Sequence, residues 1–378
     1  MKIGILTQPL QNNYGGLLQN YALQQVLKAM GHNPITLDHK SREFPAWHRL
    51  LGHTKGVMLH ILSPSKNPKP KYVPTNEELN IIEANTRNFI ERSIIRTKKC
   101  LGGEDFKKEV VDRGIEALVV GSDQCWRPAY NDYLEDMYLQ FAENLSVKKR
   151  MSYAASFGTD EWEYTKEMTK VCSSLAKIFD LITVREKSGI TLCKERLGVD
   201  AVHVLDPTMM LAKEHYVAMI EEYGENESEG NLFNYILDPT SAKIVFVEKV
   251  AKKKDLTSFQ VLPVYNEDHR TKENVKYEIE KCIYPSPVKW LRAFMDAEMT
   301  IVDSFHGMVF SIIFNKPFWV IGNLERGMSR FNSLLSDFGL SERLISEKDL
   351  SEIDFLKPID WGGVNKILDS KRKGRFTR

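Results

Sequence analysis

The chain has 378 residues, of which 42% are hydrophobic and 27% charged. A single core rarely grows past roughly 250–300 residues, so two domains are expected, and this composition excludes long disorder. Lys plus Arg number 52 against 51 Asp plus Glu, which leaves no global basic field for a nucleic-acid backbone, so no such partner is expected.

The opening MKIGILTQ is too short for a signal sequence and reads as a first strand over Lys2 to Thr7. Leu18, Ala22, Val26 and Met30 recur at i+4, which predicts a helix from about residue 17 to 30, ended by Gly31. Ile35 to Leu37 reads as a second strand. Residues 44 to 76 are rich in Pro, Lys and His and read as an irregular excursion or lid. Three buried strands follow: Ala117 to Val120, Met151 to Ala155 and Leu181 to Val184. Each ends in small or polar residues, as the carboxyl edge of an open parallel sheet does. The acidic EEYGENESEG, Glu221 to Gly230, has no apolar periodicity and marks a domain boundary. After it, Phe233 to Leu237, Phe259 to Pro263, Met299 to Val302 and Pro317 to Ile321 read as strands of a second α/β unit. The expected units are therefore 1–225 and 230–352, facing across a cleft.

The five cysteines, Cys100, Cys125, Cys172, Cys193 and Cys282, show neither metal nor redox spacing. They read as buried thiols of a reducing compartment. No stretch approaches the roughly 18 apolar residues of a membrane span. A cytoplasmic enzyme is expected, with no metal site. The tail Lys371, Arg372, Lys373, Arg375, Arg378 reads first as a solvated terminus. Its functional reading is weak attraction to the anionic inner surface of a membrane.

Four features carry chemistry. Asp303-Ser304-Phe305-His306-Gly307 follows an apolar strand and opens a helical run, which makes a ready anion site at a helix N-terminus. There Ser304 can cap, Gly307 allows close approach, and His306 can move a proton near neutral pH. Asn12-Asn13-Tyr14-Gly15-Gly16, with Gln19 and Asn20, would let backbone approach a ligand, or is a capped turn. Gly121-Ser122-Asp123-Gln124-Cys125-Trp126 places an acid beside an aromatic, a sugar platform or equally a capped helix with a packed Trp126. Arg185 ends a strand, and Arg326 and Arg330 follow another; arginine matches carboxylate and phosphate oxygens two at a time. There is no Asp-x-Asp, no zinc spacing and no Gly-x-Ser-x-Gly.

Taken in order, NNYGGLLQNYALQ, VVGSDQCWRP, SYAASFG, ITVREKSG, VLDPT and VDSFHGMVFSIIFNKPF resemble the polysaccharide pyruvyl transferase family, from about Ile3 to Phe331. The resemblance implies a GT-B-like fold of two Rossmann-type domains, with the tail 353–378 packed back on the first. It also implies transfer of the enolpyruvyl unit of phosphoenolpyruvate to a sugar of a cell-surface polysaccharide precursor, usually closing a pyruvate ketal. By position, the family histidine falls on His306, a basic residue twenty positions later on Arg326, and the arginine of V-R-[ED] on Arg185. Relatives often carry arginine where this chain has Phe305.

On this reading Arg185, Ser304, Gly307 and Arg326 hold the donor. His306 is the acid and Asp123 the base. Asn13, Gly15, Gly16, Gln19 and Trp126 line the acceptor side. Phosphoenolpyruvate is a co-substrate, no cofactor is needed, and the acceptor is a lipid- or nucleotide-linked glycan. Two other readings use the same fold. A GT-B glycosyltransferase taking a nucleotide sugar often keeps two glutamates eight positions apart in its second domain, and no such pair follows Asn231. A non-catalytic glycan-binding protein has no need of a histidine at a helix end beside arginines.

Overall fold

The computed structural model describes residues 1–39, 71–267, 269–322, 327–350, 353 and 357–373. Strand β1 (Lys2–Leu6, KIGIL) buries every residue after Lys2, so it lies central in a sheet covered on both faces. It pairs in parallel with β2 (Asn33–Thr36) on one side and β3 (Ala117–Val120) on the other. Strands β4 (Lys149–Ala155), β5 (Leu181–Val184) and β6 (Val202–His203) extend that sheet in the order β2-β1-β3-β4-β5-β6. A separate sheet holds β7 (Leu232–Tyr235), β8 (Ser258–Phe259), β9 (Met299–Val302), β10 (Phe318–Ile321) and β11 (Leu344–Ile345), all parallel, ordered β11-β10-β9-β7-β8. Two parallel sheets with crossover helices make the α/β architecture expected.

In chain order the first unit carries α1 (Tyr14–Ala29), α2 (Asn76–Ile82), α3 (Ala84–Ser93), α4 (Gly103–Arg113), α5 (Lys166–Ala176), α6 (Lys187–Leu192) and α7 (Lys213–Tyr223). The second carries α8 (Ser241–Lys254), α9 (Lys272–Tyr277), α10 (Pro287–Asp296), α11 (Phe305–Ile313) and α12 (Ser329–Phe338), and α13 (Trp361–Lys373) follows. Helix α1 starts three residues before its predicted position. The Asn13 side chain accepts the Gly16 N–H, so both glycines lie in the first turn and not in the loop before it. The strand predicted over 259–263 shrinks to the short edge strand β8. Of the predicted excursion 44–76, residues 44–70 lie outside the described residues; Asn76 already opens α2, behind a Thr75–Glu78 capping box.

The helices between the sheets share one hydrophobic core. Tyr14, Leu17 and Leu18 of α1 join Trp290 and Phe294 of α10 and Phe310 of α11. Helix α7 precedes the acidic boundary, yet its Tyr216 meets Phe310 edge-on at 5.1 Å and so packs on the second unit. Helix α13 adds Val364 and Leu368 to the same core. Its Arg372 donates to the carbonyls of Met209 (2.7 Å) and Leu211 (2.6 Å), and Lys371 pairs with Asp337 at 2.8 Å. Those two cations of the basic tail are therefore engaged by the protein's own carbonyls and carboxylate; Arg375 and Arg378 lie outside the described residues. Among the described residues no helix is long and apolar enough to cross a membrane.

Candidate functional site

At the carboxyl edge of the second sheet, β9 runs into Asp303. This buried carboxylate accepts the N–H groups of Leu237 (2.7 Å) and Asp238 (3.1 Å) and pairs with buried Lys243 at 2.9 Å, which fixes the turn. Ser304 then caps α11, its hydroxyl accepting the Gly307 N–H at 3.0 Å. A side chain at 307 would meet Val302 Cβ at 3.0 Å, so glycine lets α11 press onto β9. The Phe305 and His306 amides are left as first-turn donors without intrahelical acceptors.

The carboxyl edge of the first sheet supplies three charges. Asp123 follows β3 with φ 82°. Arg185 follows β5, and Asp206 follows β6. Arg185 is 2% exposed and forks across both acids: Nη1 to Asp206 Oδ2 at 3.1 Å, Nη2 to Asp123 Oδ1 at 3.3 Å. Asp206 also accepts the Ser122 hydroxyl (2.8 Å), the Thr208 hydroxyl (2.7 Å) and the Thr208 N–H (3.0 Å). Asp123 accepts from Asn13 Nδ2 at 3.3 Å.

The second unit closes over this group. His306 Nε2 lies 3.4 Å from Asp206 Oδ2, so Arg185 and His306, 121 residues apart, share one carboxylate oxygen. The imidazole rests on the first turn of α1, where a Cβ on Gly15 would overlap the ring. Phe305 turns its ring to the guanidinium carbon of Arg185 at 4.4 Å and of Arg330 at 5.9 Å. At this position Phe305 offers a π face to two guanidiniums. Beside them Gly158 and Gly327, both at positive φ, bring two segments of the chain into backbone contact that a side chain at 327 would block.

Burial pushes the Asp206 and Asp123 carboxyls up. For Asp206 the opposing pull of His306 and Arg185 wins by a wide margin; for Asp123 that of Arg185, His306 and Arg330 wins, so both sit below their usual range. Glu186 goes the other way: burial raises its pKa despite Arg185 and Arg330 and despite hydrogen bonds from Ser156 and the Phe157 N–H. Burial and neighbouring Arg185 bring Arg330 down to about 10. Two guanidiniums thus meet three carboxyl groups and a histidine, a cluster carrying its own countercharge. Among the described residues no group of three or more His, Cys, Asp and Glu could hold a metal ion.

The predicted donor residues His306, Arg185, Ser304 and Gly307 therefore meet at one place, between the two sheet edges. Arg326 lies outside the described residues. The acceptor group does not hold together. Trp126 is fully buried, stacked on Tyr138 at 4.8 Å with its Nε1 donating to the Met137 carbonyl, so it offers no face to a sugar. Gln19 is 1% exposed and donates to Thr7 Oγ1 at 2.9 Å, tying α1 to the loop after β1. Both were read as ligand contacts and are structural. Exposed Asn13, with Gly15 and Gly16, remains at the site. Asp206 is the residue that sequence reasoning missed. Its signal is an Asp before Pro after a short strand, the same edge position as Asp123 and Arg185.

Gly15→Ala tests this contact. The substitution gains about 1 kcal/mol of helix propensity but forces the imidazole aside, and overpacking costs about 1–3 kcal/mol. A lower melting temperature is expected. A variant melting at or above the wild type would mean that the ring moves freely.

Comparison with known proteins agrees with this architecture. The chain is similar to Arabidopsis thaliana UGT89C1 complexed with UDP-L-rhamnose (TM-score 0.50, 8% identity, covering 98% of this chain and 94% of that one). It is also similar to the S. aureus MnaA–UDP co-structure (TM-score 0.47, 11% identity, 98% and 89% covered) and to a glycosyltransferase from Rickettsia africae ESF-5 (TM-score 0.44, 13% identity, 98% and 92% covered). At such identities the likeness concerns the fold, which is GT-B-like. No curated protein sequence matches the chain. The polysaccharide pyruvyl transferase family model matches residues 13–325, most of the chain and nearly all of both sheet edges. The chain belongs to the polysaccharide pyruvyl transferase family.

Proposed function

We propose that the protein transfers the enolpyruvyl unit of phosphoenolpyruvate to a sugar of a cell-surface polysaccharide precursor and closes it as a pyruvate ketal. One observation carries this reading: a histidine at a helix N-terminus meets a buried arginine from the opposite sheet on a single carboxylate. His306 protonates the methylene carbon of the enol. Positive charge develops at the adjacent carbon, and a sugar hydroxyl attacks it. Asp123 takes the hydroxyl proton. A carboxylate held below its usual range is a weak base, so it acts late, once carbon–oxygen bonding has acidified the hydroxyl. A second hydroxyl then displaces phosphate and closes the ring, its proton returning to His306, which the first step left neutral.

The first-turn amides of α11, with Arg185 and Arg330, stabilise the donor's carboxylate and the departing phosphate. The family resemblance adds Arg326 to that set. His306, Arg185 and Asp206 are each at most 8% exposed, so substrate reaches them only when the two sheet edges part. The test is incubation with phosphoenolpyruvate and a panel of lipid- and nucleotide-linked sugars. Phosphate release matched by an acceptor carrying a ketal is expected. Phosphate without modified acceptor would mean hydrolysis, and no release with any acceptor would mean a different donor.

A further inference from the structure

Arg270 lies in the loop between β8 and α9. It is 7% exposed, and its Nε and Nη1 have no hydrogen-bond partner. Other buried arginines are matched: Arg185 by two aspartates, Arg343 by the carbonyls of Lys357 (2.7 Å) and Pro358 (2.9 Å) and the Trp319 ring. Among the described residues no carboxylate lies within ion-pair distance of Arg270; its charge adds only a lesser pull to the Thr75 N–H and the Tyr72 hydroxyl that hold the Glu78 carboxyl below its usual range. The acids nearby are committed elsewhere: Glu267 accepts from Tyr284 Oη at 3.4 Å, and Glu78 from Tyr72 Oη (2.9 Å) and the Thr75 N–H (2.7 Å). The backbone at 270 is anchored, its N–H donating to the Asn266 carbonyl at 2.9 Å. A buried guanidinium with two donors unused among the described residues is costly to folding, and a ligand that takes up those donors would offset the cost.

Its position says what. Tyr235 ends β7, Arg270 follows β8 and His306 follows β9, so all three lie on the carboxyl edge of one parallel sheet, where open α/β sheets take ligands. A wall of aromatic side chains joins them. Tyr284 stands beside Arg270 and is tied to the first unit through its N–H to the Ile82 carbonyl (2.9 Å) and its carbonyl to Asn85 Nδ2 (2.8 Å). Tyr14, whose buried hydroxyl is also without a partner, stacks on Tyr235 at 6.4 Å, and the next residue, Gly15, lies under His306. The His306 cluster already contains as many carboxylates as it can neutralise. A phosphate group beyond what Arg185 and Arg330 hold calls for a further cation, with a planar fork of donors.

We infer that Arg270 is the cationic end of a subsite for a phosphate group of a substrate, reached along the aromatic wall from His306. Only the choice of which substrate bears that phosphate rests on the transferase reading. It belongs either to phosphoenolpyruvate or to the pyrophosphate of a carrier-linked acceptor.

The test uses the full chain and reads binding alone, so it decides the subsite even in a protein that never turns over phosphoenolpyruvate. Wild type and Arg270→Met are titrated calorimetrically with phosphoenolpyruvate and with inorganic pyrophosphate, and melted without ligand. Met replaces a guanidinium with two buried unused donors by an apolar chain, and Glu78 keeps its hydrogen bonds from Thr75 and Tyr72, so Arg270→Met is expected to melt close to or above the wild type. It is expected to lose about tenfold or more in affinity for whichever compound binds. Loss for phosphoenolpyruvate assigns the subsite to the donor; loss for pyrophosphate assigns it to the acceptor. Arg270→Lys, which keeps the charge and loses the fork, should fall between and serves if the Met variant does not fold. Wild-type protein that binds neither compound, or a variant that binds both as tightly as wild type, overturns the assignment.

Discussion

His306→Ala is expected to lose turnover by about 10²–10⁴-fold while still binding phosphoenolpyruvate, the range of a positioned acid–base group. The surroundings decide whether the fold survives. Asp206 loses one neighbour of several, because Arg185, Ser122 and Thr208 remain on its oxygens. No buried charge is orphaned, and the cost is the space left above Gly15. A moderate fall in melting temperature is compatible with intact specific binding. The diagnostic is the split between kinetic constants: kcat falls and KM for the donor holds if the ring acts on the reacting atoms. His306→Gln keeps most of the volume and a polar end near Asp206 but cannot protonate carbon, so it should match the alanine variant in kcat and the wild type in melting. If His306→Gln retains wild-type kcat, the ring is a spacer between the two sheets and the proposed acid lies elsewhere.

Much of the frame was legible because parallel strands buried on both faces write continuous apolar runs. Ala117 to Val120, Leu181 to Val184 and Met299 to Val302 were read at their observed bounds for that reason. Edge strands were not: β6 is two residues with an exposed Val202, and β8 (Ser258–Phe259) keeps only Phe259 of its predicted run. Short edges carry little hydrophobic signal, since half of each is open to water. For the site, the strand ends were legible and the side-chain directions were not. Trp126 and Asp123 are three residues apart on one loop, yet one turns into the core and the other to the edge. Backbone geometry decides this: the positive φ at Asp123 reverses the chain, and Trp126 N–H then bonds the Ser156 carbonyl at 3.1 Å. No pattern of residue types encodes that reversal. Asp206 escaped because a carboxylate gains its meaning from the arginine and histidine that reach it from distant elements.

Arg185→Met is expected to destabilise the protein by about 3–5 kcal/mol at neutral pH, the usual cost of breaking a buried ion pair from one side. Asp123 and Asp206 would keep their burial and lose the cation that holds them ionised. The Phe305 face would lose the nearer of its two guanidiniums as well. The pH dependence gives the sharper reading. In the wild type both carboxyls are held below the ordinary 3.8, so their contribution is fully present above that value and lost as pH falls below it. Without Arg185 burial opposes ionisation with less to offset it, and the folded pKa values of the two acids move up. Groups raised in the folded state cost stability at high pH and cease to cost it once protonated. The difference between variant and wild type should therefore be largest near pH 7 and shrink as pH falls through the acidic range. Adding Asp206→Asn to Arg185→Met should recover part of the loss, because an amide in that place carries no charge to orphan. Chemical denaturation of the three proteins across pH 4 to 8 reads both effects. A deficit that stays constant with pH, or a double variant no better than the single, would mean that Arg185 contributes by packing on Phe305 and not by matching the acids.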